Sequence, residues 1–170
     1  MKVSFFWLTL ITIIWIMSSE KVEKKDEVKN LIVTKTIKSE KPESFAKKLT
    51  RLAKMNLGKP YVYGKIGPDS FDCSGFLYGL HKQLGVILPR TSLGQSKINS
   101  SKISKNSLKE GDLVFFDTGN EGKVNHSGIY LGKGKFIHAS SGKANSVTIS
   151  SLDAWYKDKF KWGKRLNANK

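Results

Sequence analysis

The hydrophobic period of this chain changes once, near Gly111, and that change limits the folds open to it. Ahead of Gly111 the apolar residues recur at helical spacing. Phe45, Leu49, Leu52 and Ala53 make one face of a helix that should start near Pro42, a favoured first-turn residue, and end before Gly58. Phe76, Leu77, Leu80 and Leu84 make the face of a second helix, which starts at or just before Cys73 and stops at Gly85. "PRTSLGQ" opens a third, shorter helical turn after Pro89. Beyond Gly111 the runs "DLVFFD", "HSGIYLG", "KFIHAS" and "SVTISSL" are short and apolar or alternating, separated by turns rich in Gly, Asn and Lys. That is the pattern of an antiparallel meander. The tail, "WYKDKFKWGKRL", carries aromatics to cover a sheet edge and has room for a final strand. Helices first and strands after predict an α+β fold, with N-terminal helices packed on an antiparallel sheet.

With 170 residues there is enough chain for one domain with a core, and the preceding segments read as appendages. Val3–Met17 is an apolar run interrupted only by Ser4, Thr9 and Thr12, the length of a signal-peptide core and shorter than the ~20 residues of a membrane span. Residues 1–19 are therefore expected to be a signal peptide, with cleavage after Ser18 or Ser19. The alternative is an uncleaved membrane anchor, which Lys21, Lys24 and Lys25 would favour. A lipoprotein is not expected, because acylation needs a cysteine near the cleavage point and Cys73 is far from it. Residues 20–41 mix charges around one short apolar patch, Leu31–Val33, with no sustained period, and read as a flexible spacer. Residues 42–170 are left as the folded domain.

Cys73 is the only cysteine, so no intramolecular disulfide holds the fold. An exported chain with one thiol carries a packing residue, an intermolecular link or a reactive group. "FDCSGF" places it between an acid and two small residues, a poor apolar niche. At the first turn of a helix, unpaired N–H groups and the helix dipole should lower its pKa, and its own N–H faces an attacked carbonyl oxygen. Ser74 and Gly75 are small enough to let substrate approach the backbone.

A thiol nucleophile needs a base, and the chain holds three histidines. His126 opens the run "NHSGIYLG", and His138 lies in "KFIHAS", across a turn containing Gly132, Lys133 and Gly134. Adjacent antiparallel strands can set the two on one face, so that one imidazole orients the other. His81, about two turns along the Cys73 helix, reads as a surface or boundary residue. A catalytic zinc held by cysteine and two histidines is the rival reading, and no carboxylate at a telling spacing supports it.

The blocks "YVYG" (61–64), "FDCSGF" (71–76), "LPRTSLGQ" (88–95), "KEGDLVFF" (109–116), "HSGIYLG" (126–132) and "FIHAS" (136–140) together resemble the NlpC/P60 cell-wall cysteine peptidases, a papain-like group, over about residues 43–166. The resemblance implies Cys73 as nucleophile, His126 as base and His138 as its orienter. It also points to Tyr61, whose hydroxyl would help hold the oxyanion, and to Asp72 and Ser74 as contacts for the free amine of a short stem peptide. Arg90, Thr91 and Gln95 match a motif of partly structural role. Lys65 departs from the pattern, standing where the family usually has a second glycine.

The function implied is a peptidoglycan endopeptidase needing no cofactor and no metal. It would cut the γ-D-glutamyl–diamino acid bond or, next in order, the D-alanyl–diaminopimelate cross-link. A related papain-like amidase or acyltransferase, and a non-catalytic wall-binding protein, are the alternatives. The chain carries 30 Lys and Arg against 14 Asp and Glu, a formal net charge of +16, which attracts polyanions. Export selects anionic cell-envelope polymers as those partners. No zinc-ligand spacing, basic heptad or aromatic RNA-binding signature accompanies the lysines, so no nucleic acid is expected. The protein is expected to be a monomer, secreted or periplasmic, and associated with the cell envelope.

Overall fold

The structure, a computed structural model, describes residues 42–166 and, upstream, residues 21, 24–27 and 29. The expected signal peptide or anchor lies outside the described residues. Within the charged segment the described positions are helical and exposed, where the lack of a period suggested a flexible spacer.

Helix α1 is Phe45–Met55, α2 is Cys73–Gln83, and α3 is the short Ser92–Ser96. The strands are β1 (Leu113–Phe116), β2 (His126–Gly132), β3 (Lys135–Ser140), β4 (Ser146–Ser151) and β5 (Phe160–Lys164). They form one sheet in the order β4-β3-β2-β1-β5, every neighbouring pair antiparallel. The α+β expectation holds, and the tail supplies the fifth strand beside β1. Helix α1 starts at Phe45 rather than near Pro42, because the Ser44 side chain accepts from the Lys47 N–H and caps the first turn there.

The period-2 alternation divides the sheet into two apolar faces. Leu113, Phe115, Ile129, Ile137, Ala139 and Val147 point to the helices and pack with Leu49, Ala53, Phe76, Leu77 and Leu80. Val114, Phe116, Tyr130 and Phe136 point the other way, where Leu152 and Tyr156 from the segment after β4 cover them. Strand β1 is consequently buried on both faces, and its four residues are all fully enclosed.

Helix α2 is buried almost all round, which explains its small residues. Adding a Cβ to Gly75 would place it 2.0 Å from the Lys65 carbonyl oxygen, and one on Gly79 would lie 2.1 Å from that of Ile66. The loop carrying Lys65 therefore rests directly on the helix backbone. His81 is not at the surface as its polarity suggested: it is 0% exposed. Its place, one helical turn after Leu77, puts it on the core side, with the Phe45 ring of α1 5.9 Å away.

Candidate active site

Asp72 fixes the start of α2 and so the position of Cys73, the helix's first residue. Its carboxylate accepts from the Gly75 N–H at 2.6 Å as the N-cap, from the Gly64 N–H at 2.8 Å, and from the Ser74 hydroxyl at 3.2 Å. Arg90 closes the group from the loop before α3: one guanidinium nitrogen donates to Asp72 Oδ1 at 3.1 Å and to Ser74 Oγ at 2.9 Å, and the other to Asp72 Oδ2. Burial pulls the Asp72 carboxyl upward, but the Arg90 guanidinium and the Gly75 and Gly64 N–H groups outweigh it and hold it below the usual carboxylate range. Asp72 is only 5% exposed and Ser74 7%. Gln95, fully buried, ties α3 to the same place through its amide, which donates to the Ser74 carbonyl at 2.9 Å and the Pro89 carbonyl at 3.0 Å. The "PRTSLGQ" block thus braces the start of α2.

The Cys73 thiol stands 3.6 Å from Ser92 Oγ and 4.0 Å from the Asn125 carbonyl oxygen. Ser92 continues to Ser127 Oγ at 3.0 Å, which reaches Gln95 Oε1 at 3.4 Å. Burial pushes the thiol pKa up. The Ser92 hydroxyl and the Cys73 and Ser74 N–H groups pull it back only in part, while the Asp72 carboxylate adds to the rise. This corrects the expectation of a lowered value: the helix start does favour the thiolate, but desolvation outweighs it.

His126 follows Asn125 directly and opens β2 on the face turned away from the helices. Its Nε2 lies 2.8 Å from Nδ1 of His138, which sits in mid-β3. The rings are almost perpendicular, 88° apart, with centroids 4.9 Å apart. Gly128 makes this possible, since a Cβ there would come within 3.2 Å of His138 Cβ and 2.8 Å of the Phe136 ring. His138 is wholly buried, and its Nε2 is 2.9 Å from Ser150 Oγ on β4. Tyr156 covers both rings, stacked on His126 at 6.0 Å and edge-on to His138 at 5.3 Å. Burial pushes His126 down to about 4, and burial with the neighbouring imidazole pushes His138 down to about 2. Both rings are neutral at rest.

Two hollows flank this junction. One, about 390 Å³, is lined by Tyr61, Asp72, Cys73, Ser74, Arg90 and Ser92. The other, about 530 Å³, is lined by His126, Thr118, Lys143, Ser150, Trp155 and Tyr156. Tyr61 is half buried, and burial, with Cys73 and Asp72 nearby, pushes its hydroxyl pKa up, so it carries a proton to donate. Tyr61, Asp72, Cys73 and Ser74 thus line the first hollow and His126 the second, with His138 buried behind His126. Among the described residues there is no hydrogen bond between Cys73 and His126. Nor does any group of three His, Cys, Asp or Glu side chains converge on a metal-sized point among them.

The sequence matches the NlpC/P60 family over residues 58–165. The chain belongs to the NlpC/P60 family. It is 39% identical over 114 residues to a γ-D-glutamyl-L-lysine dipeptidyl-peptidase of Bacillus cereus, a match covering 66% of this chain and 33% of that protein. It is 41% identical over 103 residues to the murein DD-endopeptidase MepH of Escherichia coli, covering 58% and 38%. A crystal structure of an NlpC/P60 family protein from Bacillus cereus superimposes with a TM-score of 0.66 at 36% identity, over 73% of this chain and 41% of that one. The matched region spans from 16% to 38% of these and other curated relatives.

Sequence reasoning missed Ser92, Asn125, Ser150 and Tyr156. Ser92 lay inside a quoted block, and Asn125 directly precedes His126. Ser150 and Tyr156 gave no local signal, because only strand pairing and the return of the chain after β4 bring them to the histidines.

Proposed function

We propose that this chain is a peptidoglycan endopeptidase that cuts stem peptides through a Cys73 thioester. The carrying observation is the ordered set of Cys73 at a helix start, His126 on the cleft and His138 behind it, supported by the names of the relatives. Cys73 Sγ attacks the scissile carbonyl carbon as its proton passes to His126 Nδ1, the ring nitrogen not paired with His138. The oxyanion meets the Cys73 N–H and the Tyr61 hydroxyl. Collapse breaks the C–N bond, and His126 hands its proton to the departing amine. His126 then deprotonates the water that hydrolyses the thioester.

Because His126 serves the amine, the two hollows divide the substrate. The acyl half lies beside Cys73, Asp72, Ser74 and Arg90, and the amine half lies beside His126 and Trp155. Asp72 reaches a substrate amine only while it keeps its bonds to Arg90 and the helix start, so we assign Asp72 and Ser74 first to shaping that half. The γ-D-glutamyl–diamino acid bond is the first choice, as in the Bacillus cereus relative's name, and the D-alanyl cross-link the second, as in that of MepH. The resting thiol and imidazole are both neutral, so His126 acts as a general base rather than as half of a standing ion pair. The enzyme works outside the cytoplasm as a monomer, and its excess positive charge holds it to anionic wall polymers. Retention on isolated sacculi should fall as salt screens that attraction, and salt-independent retention would refute the electrostatic part.

Digestion of defined muropeptides, with the new termini identified by mass spectrometry, tests the assignment. Cys73→Ala should abolish release while circular dichroism stays unchanged. Undiminished cleavage by the folded variant would exclude the thioester route.

A further inference from the structure

A histidine in the orienting position is ambiguous in a way that a carbonyl or carboxylate is not. A carboxylate can only accept, and so forces the base to carry its proton on the facing nitrogen. His138 can accept or donate at Nδ1. In the row His126, His138 and Ser150, whose contacts are 2.8 and 2.9 Å, two proton arrangements satisfy every bond. In the first, His126 Nε2–H donates to His138 Nδ1 and His138 Nε2–H donates to Ser150 Oγ, leaving a lone pair on His126 Nδ1. In the second, the Ser150 hydroxyl donates to His138 Nε2 and His138 Nδ1–H donates to His126 Nε2, leaving a proton on His126 Nδ1. Only the first presents a base to Cys73.

We propose that Ser150 is a positioning residue that accepts from His138 Nε2–H and thereby sets the tautomer of both histidines, keeping the His126 Nδ1 lone pair turned to the nucleophile. Ser150 is placed for this by strand register. His138 pairs across the β3–β4 ladder with Thr148 and Phe136 pairs with Ser150, so Ser150 is the diagonal neighbour on the histidine face. It also lines the hollow on the His126 side, so its own O–H can turn to solvent rather than to the ring. Of the other side chains packed on His138, Phe136 does not titrate, and His126 and Tyr156 are the titratable groups that face it. Lys143 is the cation lining the adjoining hollow. When His126 takes the thiol proton it becomes a donor at both nitrogens, and the same arrangement accommodates the imidazolium without rearranging any proton further back.

The role rests on the peptidase reading, but the tautomer can be read without turnover. Nitrogen-15 spectra of histidine-labelled protein should show His126 and His138 protonated at Nε2 near neutral pH, and Ser150→Ala should show mixed tautomers at both. On muropeptide, Ser150→Ala should lower kcat about tenfold with KM unchanged and displace the acid limb of the pH profile, a size typical of groups that orient an active ligand. Ser150→Thr, which keeps the hydroxyl on a strand-compatible side chain, should restore the tautomers and most of kcat. His126 protonated at Nδ1 in the parent protein would overturn the assignment, as would parental kcat and tautomers in Ser150→Ala. If Ser150→Ala does not fold, the parent spectrum and Ser150→Thr decide. Absence of muropeptide cleavage by the parent would remove the peptidase reading and leave the tautomer result to stand or fall alone.

Discussion

Acidification should destabilise this domain through His81, a histidine remote from the proposed chemistry. His81 is 0% exposed on α2, its Nδ1–H donates to the Leu77 carbonyl at 2.7 Å, and its Nε2 is buried with no hydrogen-bond partner among the described residues. Burial pushes its pKa from 6.5 down to about 4. A histidine whose pKa is lower folded than unfolded is protonated more readily in the unfolded chain, so its penalty is absent above pH 6.5 and grows as the pH falls toward 4. Linkage over that interval gives a loss of about 2 kcal/mol at pH 5 and about 3 kcal/mol at pH 4, saturating just below. That is a sizeable share of the roughly 5–15 kcal/mol that holds a typical domain together. His81→Leu removes the titrating group and the unpartnered nitrogen while keeping an apolar side chain of similar reach. Urea unfolding of parent and variant at pH 7.5, 5 and 4 measures the difference, with the other histidines contributing equally to both. The variant should lose about 2 kcal/mol less than the parent between pH 7.5 and 5. Parallel pH profiles would refute the burial argument, because they would mean that His81 titrates alike in folded and unfolded chains.

The raised thiol pKa predicts that iodoacetamide modification of Cys73 climbs with pH through and beyond the ordinary cysteine range. A fast plateau already reached near pH 6 would show a preformed thiolate instead. His126→Ala should lower kcat/KM more than His138→Ala, because a proton-transfer group is harder to replace than an orienter, and equal or reversed losses would contradict these roles. Gly128→Ala should cost about 1–3 kcal/mol of stability through overpacking against Phe136 and His138, and should lower kcat as His138 shifts. Unchanged unfolding midpoint and kcat would show that the strand relaxes without moving the ring.

The residues proposed to carry chemistry were legible in the chain because their signals are local. Cys73 lies between Asp72 and Ser74 at a helix start, and an N-cap is a property of four consecutive residues. His126 and His138 flank a short turn between paired strands, so a period-2 reading was enough to put them on one face. The strand order near the turn followed for the same reason. What the one-dimensional pattern left open depends on desolvation and on contacts between distant segments. Helix position argues for an acidic Cys73 and surface polarity argues for an outlying His81, yet burial reverses the first and contradicts the second. Arg90 reaches Asp72 across 18 residues, and Tyr156 and Ser150 reach the histidines across the sheet, none of it encoded in any local spacing. Local chemistry therefore named the proposed nucleophile, its base and the residue that orients that base. Their protonation states, and the groups that hold them, arose only once the chain had closed around them and removed the water.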